Sequence, residues 1–291
     1  MTDTLERITW TSLDLPLVAH ALGDPSRPAV VLVHGFLDQG RAFLPVARVL
    51  AERYRVILPD LRGHGDSPHL PPGASYHFPD YVLDLAALVD HLGLERFALA
   101  GHSMGASIAV YYAGAFPARV AALALLDGIG PAAGARDQSP AQLRHWIHDT
   151  RIARQRDEPP MADLDQVVAR LARAAPRASV ALLRELAPYA AAPGPDGAWR
   201  WRFDPLLRTR AALPFDAARF MSFLDAITCP SLAVWGELSP FPPPDAEARA
   251  ARLPDATSYV MSGIGHNLHH ERPLELAAVL RGFFDELLLA P

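Results

Sequence analysis

The chain has 291 residues, 50% of them apolar and 20% charged, with a formal net charge of −5 at pH 7. This composition is typical of a globular protein long enough for one large domain or two modest ones, and the charge gives no general attraction to nucleic acid or to an anionic membrane. The 27 residues counted as Lys or Arg are all arginine, so a Schiff-base lysine, a pyridoxal-binding lysine and a P-loop lysine are excluded. The single cysteine excludes an internal disulfide and a cysteine-based zinc cluster.

The first 126 residues alternate short apolar runs with helix-period segments, a pattern that predicts a parallel sheet covered on both faces. The first ten residues lack a basic region followed by an apolar one, and the longest apolar runs are far short of a membrane span, so we predict a cytoplasmic protein. Strands are predicted at Ile8–Trp10, Leu15–Ala21, Ala29–Val33, Val56–Leu58, Phe97–Ala100 and Val120–Leu126, and helices at Ala42–Arg53, Pro79–Leu92 and Met104–Phe116.

The regular alternation stops at Gly128 and resumes near Thr228. The block between them is rich in Arg, Ala and Pro, with a turn-rich break at Pro193–Gly197, so we predict an inserted helical cap. The predicted organisation is a core in two parts, residues 1–130 and 229–291, separated by a cap at residues 131–228. The helices predicted in the cap are Ala141–Arg156, Leu164–Ala175 and Ser179–Leu186. After it come strands Ser231–Trp235 and Thr257–Met261, a helix within Pro244–Arg252 and a last helix Pro273–Leu289.

The residues 101–105 read Gly-His-Ser-Met-Gly and lie between a predicted strand and a predicted helix. A sharp strand-to-helix turn crowds the backbone around its central serine, so only small residues fit two positions to either side, and the turn raises the hydroxyl above the sheet. Ser103 is therefore the candidate nucleophile. A serine hydroxyl needs a base that takes its proton and an acid that orients the base.

His266, in Gly265-His266-Asn267, is the candidate base because its loop follows the last predicted strand and reaches the same sheet edge as Ser103. His269 and His270 are rivals at the start of the next helix, where we expect solvated or capping roles. Cys229, directly before Pro230, is expected to be a buried structural thiol.

Four motifs in order resemble the α/β-hydrolase superfamily over essentially the whole chain outside the insert: residues 34–36 (His-Gly-Phe), residues 60–67 (Asp-Leu-Arg-Gly-His-Gly-Asp-Ser), the Ser103 turn and Gly265-His266. The resemblance implies an α/β fold with a mostly parallel eight-stranded sheet, helices on both faces and an inserted helical cap. The glycine-rich stretch at 60–67 lacks lysine and Walker spacing, so we interpret it as a structural turn.

The sequence departs from the family where many members carry the triad acid, because Ser239 stands at that position. Some members supply the acid after the sixth strand, where this chain has Asp127. A carboxylate at the end of a buried strand needs a partner, and His266 would be one. Asp127 is therefore the predicted acid, Glu237 is the reserve candidate, and a plain turn-capping role for Asp127 is the alternative. The arrangement resembles the serine-hydrolase-like branch of the superfamily more than the common esterases.

The resemblance also implies an oxyanion hole built from the backbone N–H groups of Phe36 and Met104, with no cofactor and no metal. We predict a serine hydrolase, carboxylesterase-like, acting on a small-molecule ester, lactone or thioester. Carbon–carbon bond hydrolysis, acyl transfer, cofactor-free oxygenation and a ligand-binding receptor with slow or vestigial catalysis stay open, since a fold alone does not decide function. Dehalogenase and epoxide hydrolase activities are disfavoured, because those relatives have Asp where Ser103 stands. No nucleic acid or membrane partner is predicted, and a monomer and a homo-oligomer both stay open.

Overall fold

A single eight-stranded sheet forms the centre of the protein in the computed structural model, which describes residues 5–134, 138–153 and 159–288. Its strands are β1 (Glu6–Ser12), β2 (Leu15–Leu22), β3 (Ala29–Val33), β4 (Arg55–Asp60), β5 (Phe97–His102), β6 (Val120–Leu126), β9 (Ser231–Gly236) and β10 (Thr257–Met261). A separate pair, β7 (Ala191–Pro193) and β8 (Trp199–Trp201), lies between β6 and β9 in the chain.

The strand order in the sheet is β1-β2-β4-β3-β5-β6-β9-β10. Strands β1 and β2 pair in antiparallel fashion with their neighbours, and the six from β4 to β10 along this order are parallel. Every residue of β3, β5 and β6 is buried, as expected for parallel strands covered on both faces. The predicted α/β-hydrolase fold, with a mostly parallel eight-stranded sheet, is confirmed.

Helices cover both faces of this sheet. One face packs a cluster that includes Leu85 and Ile108, and the other packs a cluster that includes Leu50 and Phe284. The α-helices are α1 (Leu44–Leu50), α2 (Phe78–His91), α3 (Met104–Ala115), α4 (Ser139–Ala153), α5 (Leu164–Ala174), α6 (Val180–Ala190), α7 (Ala217–Ala226), α8 (Ala246–Ala250), α9 (Leu268–Glu271) and α10 (Pro273–Leu288).

The region predicted as a helical cap contains α4 to α7 and also the β7–β8 hairpin. The sequence analysis predicted neither α7 nor the hairpin. The hairpin escapes prediction because strands of three residues are too short to show a period of two. Gly197 adopts φ +79° in the turn between them, a backbone conformation that favours glycine. The last three residues of the predicted helix Ala141–Arg156 and the terminal Leu289 of the last one lie outside the described residues.

The carboxyl ends of the parallel strands meet at one edge of the sheet, and the candidate residues follow them there. Ser103 comes directly after β5, Asp127 directly after β6, and His266 lies in the loop after β10. The predicted structural turn after β4 is also found, since the Asp60 carboxylate accepts the backbone N–H groups of Gly40 and Asp66 at 2.7 and 2.8 Å. Of the helices within the described ranges, none has the length and apolar character needed to cross a bilayer.

Candidate active site

The turn between β5 and α3 holds Ser103 in a backbone conformation with φ 53° and ψ −113°, outside the ordinary regions for a non-glycine residue. Its N–H donates to the carbonyl of Leu126 at 2.9 Å. The flanking glycines are required by contact: a Cβ at Gly101 would lie 2.2 Å from the Gly105 carbonyl oxygen, and one at Gly105 would lie 2.3 Å from that of Val33. The motif spacing thus follows from backbone packing that leaves no room for a side chain.

Ser103, His266 and Asp127, predicted from three distant parts of the chain, form one hydrogen-bonded set. The Nε2 atom of His266 lies 2.9 Å from the Ser103 Oγ, and its Nδ1 atom contacts the Asp127 Oδ2. A carboxylate only accepts hydrogen bonds, so we assign the ring proton to Nδ1, which leaves the Nε2 lone pair facing the serine hydroxyl. This is the tautomer that a general base needs.

Asp127 is only 2% exposed, and its carboxylate is held by two further donors. Its Oδ1 accepts the Gly236 N–H at 2.9 Å, and its Oδ2 accepts the hydroxyl of Ser239. Ser239, at the position where many family members carry the acid, therefore bonds to the candidate acid Asp127. The sequence indicates only that Ser239 stands where many family members carry the acid, and it does not predict this contact.

Glu237, the reserve acid, is exposed at the end of β9. Its carboxylate accepts hydrogen bonds from the Ser262 hydroxyl at 2.8 Å and the Gly263 N–H at 2.7 Å. In the described part of the chain its hydrogen bonds therefore go to the turn after β10 and not to His266. The arrangement favours Asp127 over Glu237 as the partner of the histidine.

The loop after β3 passes directly over the Ser103 turn. A Cβ at Gly35 would lie 3.3 Å from the Ser103 Cβ, so the Gly35–Phe36 peptide lies beside the candidate nucleophile. His34 fixes this peptide: its Nε2 accepts the Leu61 N–H at 3.0 Å, so its Nδ1–H donates to the Gly35 carbonyl at 2.7 Å. In a trans peptide the N–H points away from the C=O, which sets the direction of the Phe36 N–H.

Met104 supplies the other predicted oxyanion donor. It is the first residue of α3, so its N–H belongs to the helix start, where backbone donors have no intrahelical acceptor. In the loop after β3, the Phe36 side chain is 49% exposed. Burial lowers the pKa of His34. His64 also contacts this loop, since its Nε2 accepts the Leu37 N–H at 3.3 Å, and burial together with the neighbouring His34 lowers its pKa to about 3.

Three hydrogen bonds fix the loop that carries His266. The buried Glu271 carboxylate accepts the Gly265 N–H at 2.8 Å, and the Nε2–H of His102 donates to the His266 carbonyl at 2.9 Å. The Asn267 side chain donates to the Ala174 carbonyl at 2.7 Å, which ties the loop to the end of α5. The sequence motif Gly265-His266 predicted the position of the base but none of these supports.

The expectation that His269 and His270 are solvated or capping is wrong. They are 0% and 9% exposed, and His269 Nε2 lies 2.9 Å from the Asp38 carboxylate while its ring stacks on Phe43 at 4.5 Å. Burial lowers the pKa of His270 to about 3. Their position at a helix start suggested exposure, but the short α9 packs inward against the segment that precedes α1, a tertiary contact with no local signal. Cys229 is buried as predicted, and burial raises the pKa of its thiol to about 11.

An apolar cavity of about 620 Å³ lies beside α3, between α2 and α7. Its walls include Phe78, Tyr111, Phe215 and Phe223, and its lining reaches Ser107, one helical turn after Ser103. Ser103, Asp127 and His266 do not line it, so the cavity is a feature separate from the hydrogen-bonded set.

The chain is similar in sequence to known proteins. Residues 28–273 match the family model described as alpha/beta hydrolase fold. A serine hydrolase-like protein of Dictyostelium discoideum is 30% identical over 236 residues, which cover 79% of this chain and 65% of that protein. The chain spans less than two thirds of the curated relatives it matches first, since a Danio rerio serine hydrolase-like protein is covered over 31% of its length.

Two solved structures have the same architecture. A hypothetical protein of Pseudomonas aeruginosa is 32% identical, with a TM-score of 0.87 over 98% of this chain and 100% of that one. The thioesterase domain from the curacin biosynthetic pathway is 28% identical, with a TM-score of 0.84 over 96% of this chain and 99% of that one.

Proposed function

The chain belongs to the α/β-hydrolase family, and we propose on that premise that it is a serine hydrolase that cleaves a carboxylic ester or a related acyl bond. Ser103 is the proposed nucleophile, His266 the general base and Asp127 the orienting acid. The observation that carries the proposal is the continuous hydrogen-bonded line from the Ser103 hydroxyl through the imidazole to a buried carboxylate.

In the first step the Ser103 oxygen attacks the acyl carbon of the substrate while its proton passes to His266 Nε2. The carbonyl oxygen becomes an oxyanion, which the N–H groups of Phe36 and Met104 stabilise; such preorganised donors each contribute roughly 3–4 kcal/mol of transition-state stabilisation. Asp127 stabilises the imidazolium and keeps its Nδ1 proton directed away from the serine. The bond to the leaving group then breaks, and His266 gives that group the proton.

In the second step water replaces the leaving group. His266 Nε2 takes a proton from this water, whose oxygen attacks the acyl-enzyme carbon, and the proton finally returns to the Ser103 oxygen as the acid product leaves. The two steps use the same base and the same oxyanion donors. Besides the substrate and this water molecule, both steps use only side chains and backbone groups of the chain.

The substrate class is proposed at the level of an acyl bond to oxygen or sulfur. The thioesterase neighbour supports a thioester as one form of the substrate, and the curated serine hydrolase-like relatives carry no substrate in their names. A carboxylesterase assignment is the simplest case. Carbon–carbon hydrolysis and acyl transfer use the same three residues and are separated from it by the products formed.

The direct test combines turnover of p-nitrophenyl acetate and butyrate with labelling by a fluorophosphonate probe. Wild type labels and turns over, while Ser103→Ala abolishes both, because the probe reacts only with an activated serine. Glu237→Gln is the matched control, since it removes an exposed carboxylate at the neighbouring strand end and leaves Asp127 in place.

Wild-type protein that neither labels nor turns over either ester refutes the proposal. Ligand screening for a receptor then becomes the next experiment, because a receptor could have the same fold and the same three residues without catalysing a reaction. Loss of activity in Glu237→Gln with full activity in Asp127→Asn would move the acid to Glu237 and leave the hydrolase proposal in place.

A further inference from the structure

A second cluster of polar side chains lies behind the proposed site. A carboxylate oxygen of Asp38 and one ring nitrogen from each of His102 and His269 all lie within 4.8 Å of one another. The three residues come from the segments that carry the proposed catalytic groups: Asp38 is two residues after Phe36, His102 directly precedes Ser103, and His269 is three residues after His266.

His102 keeps one ring nitrogen as an unused lone pair. Its Nε2 faces the His266 carbonyl at 2.9 Å, so in the neutral ring Nε2 carries the proton and Nδ1 does not. The residue is 2% exposed, and its Nδ1 has no hydrogen-bond partner among the described residues. An imidazole whose far N–H is held by a backbone carbonyl is the arrangement that metal-ligating histidines adopt.

His269 supplies the nitrogen beside Asp38, which is its Nε2, so a metal ion bound between these two atoms would replace the proton that they share. His269 is 0% exposed, this nitrogen lies 2.9 Å from Asp38, and its Nδ1 lacks a hydrogen-bond partner within the described ranges. The rings of His102 and His269 stand edge to face with centroids 4.6 Å apart. The buried Nδ1 of His102 is therefore left without a partner close to a carboxylate and a second imidazole, which is unfavourable unless a ligand binds it.

The space next to His102 Nδ1 is open because residue 35 is glycine. A Cβ there would lie 2.8 Å from Nδ1, so any other residue would press on this nitrogen. We propose that Asp38, His102 and His269 bind one divalent transition-metal ion, with Zn²⁺ as the best match to two imidazoles and one carboxylate.

A second histidine–carboxylate cluster among the described residues provides a contrast. His20 lies among Asp60 and Asp66, but Arg41 and Arg202 already pair with Asp66 at 2.8 and 2.9 Å. Two guanidinium groups neutralise that site and repel a further cation. The Asp38 cluster has no arginine contact among the ion pairs of the described residues, so it is the site we select.

A metal bound there links the loop of Phe36, the Ser103 turn and the segment after His266 at one point. Its proposed role is to fix these three segments, and its binding does not depend on whether the protein hydrolyses esters. The test therefore measures binding itself, so that its failure and the failure of the hydrolase proposal are distinguishable.

The experiment titrates the metal-free protein with Zn²⁺ by calorimetry and with Co²⁺ by visible absorption, and locates Zn²⁺ by anomalous diffraction of wild-type crystals. We expect one tight site per chain, with the anomalous peak among the three side chains. Removing a ligand in Asp38→Asn or His269→Gln lowers the affinity on the order of 100-fold, at least the loss seen when a supporting partner is removed.

The matched control is the double variant His145→Gln/His148→Gln, which removes two exposed histidines of α4 at i, i+3 spacing and leaves the affinity unchanged. A wild-type protein that binds no Zn²⁺, an anomalous peak elsewhere, or affinity lost in the α4 control and kept in Asp38→Asn overturns the proposal. Should a ligand variant fail to fold, the wild-type anomalous map still decides.

Discussion

Replacing Asp127 with asparagine is the most informative perturbation of the proposed site. The new side chain is isosteric, and its oxygen keeps the hydrogen bond from the Gly236 N–H. Its amide nitrogen, however, places a donor where the Asp127 carboxylate accepted the Nδ1–H of His266. The imidazole then places its proton on Nε2, and it cannot take the proton of Ser103.

The expected loss follows from the tautomer. An asparagine at this place in a Ser-His-Asp triad lowers kcat on the order of 10⁴-fold, about 5.4 kcal/mol. The assay is steady-state turnover of p-nitrophenyl butyrate across pH, with thermal unfolding followed by circular dichroism to show that the variant is folded. KM changes little, because the acid does not contact the substrate.

Ser239 allows a rescue experiment in the same background. Its hydroxyl and His266 Nδ1 contact the same oxygen of Asp127, so a carboxylate at position 239 reaches the same side of the ring. Adding Ser239→Asp to Asp127→Asn recovers at least about tenfold in kcat by restoring an acceptor for Nδ1–H. A folded Asp127→Asn protein that keeps more than about a tenth of wild-type kcat refutes the reasoning.

Three further predictions concern stability and the supporting residues. Gly105→Ala lowers the unfolding free energy, measured in guanidinium, by on the order of 3 kcal/mol or more, because its Cβ would meet a strand carbonyl at 2.3 Å. Gly282→Ala in α10 has open space around it and raises the unfolding free energy by up to about 1 kcal/mol. Equal effects of the two substitutions contradict the packing argument. Burial lowers the pKa of His20, but its interactions with Asp60 and Asp66 outweigh burial and raise the pKa above the unfolded value of 6.5. The stabilisation that protonated His20 contributes is therefore complete below pH 6.5 and is lost as the pH rises through the folded pKa. Between about pH 6 and 8 the unfolding free energy of wild type should fall more than that of His20→Gln, and parallel pH profiles of the two proteins count against the shift. Glu271→Ala lowers kcat and has a smaller effect on KM, because the Gly265 N–H in the loop of the proposed base loses its acceptor. Glu271→Gln retains an acceptor oxygen and should keep most of the wild-type kcat. Identical kinetics of the two variants exclude this positioning role of Glu271.

The fold was predictable because its evidence is local. Buried parallel strands such as β3 and β6 are continuous apolar runs, and the glycines around Ser103 stand where a Cβ would meet backbone at 2.2–2.3 Å. Such steric demands leave a mark at fixed spacing in the sequence. The β7–β8 hairpin left no such mark, because three-residue strands carry too few positions for a periodic pattern.

The candidate residues were likewise predictable one at a time, but their supports were not. Ser103, Asp127 and His266 each follow a strand end, which places them at one sheet edge. The hydrogen bonds that Ser239 and Glu271 make depend on how loops far apart in the chain pack together. The buried state of His269 depends on the same packing, and exposure was the wrong expectation there.

The sequence by itself determined the apolar runs that form the buried strands, the nucleophile turn and the candidate residues Ser103 and His266, since each rests on local sterics or on position after a strand. For the acid it left Asp127 and Glu237 as candidates. Only the tertiary structure decided that Asp127 rather than Glu237 faces His266, and that one carboxylate oxygen of Asp38 and ring nitrogens of His102 and His269 lie within 4.8 Å of one another. The physical reason is distance along the chain. Hydrogen bonds between residues more than 100 positions apart depend on three-dimensional packing, which no local pattern encodes.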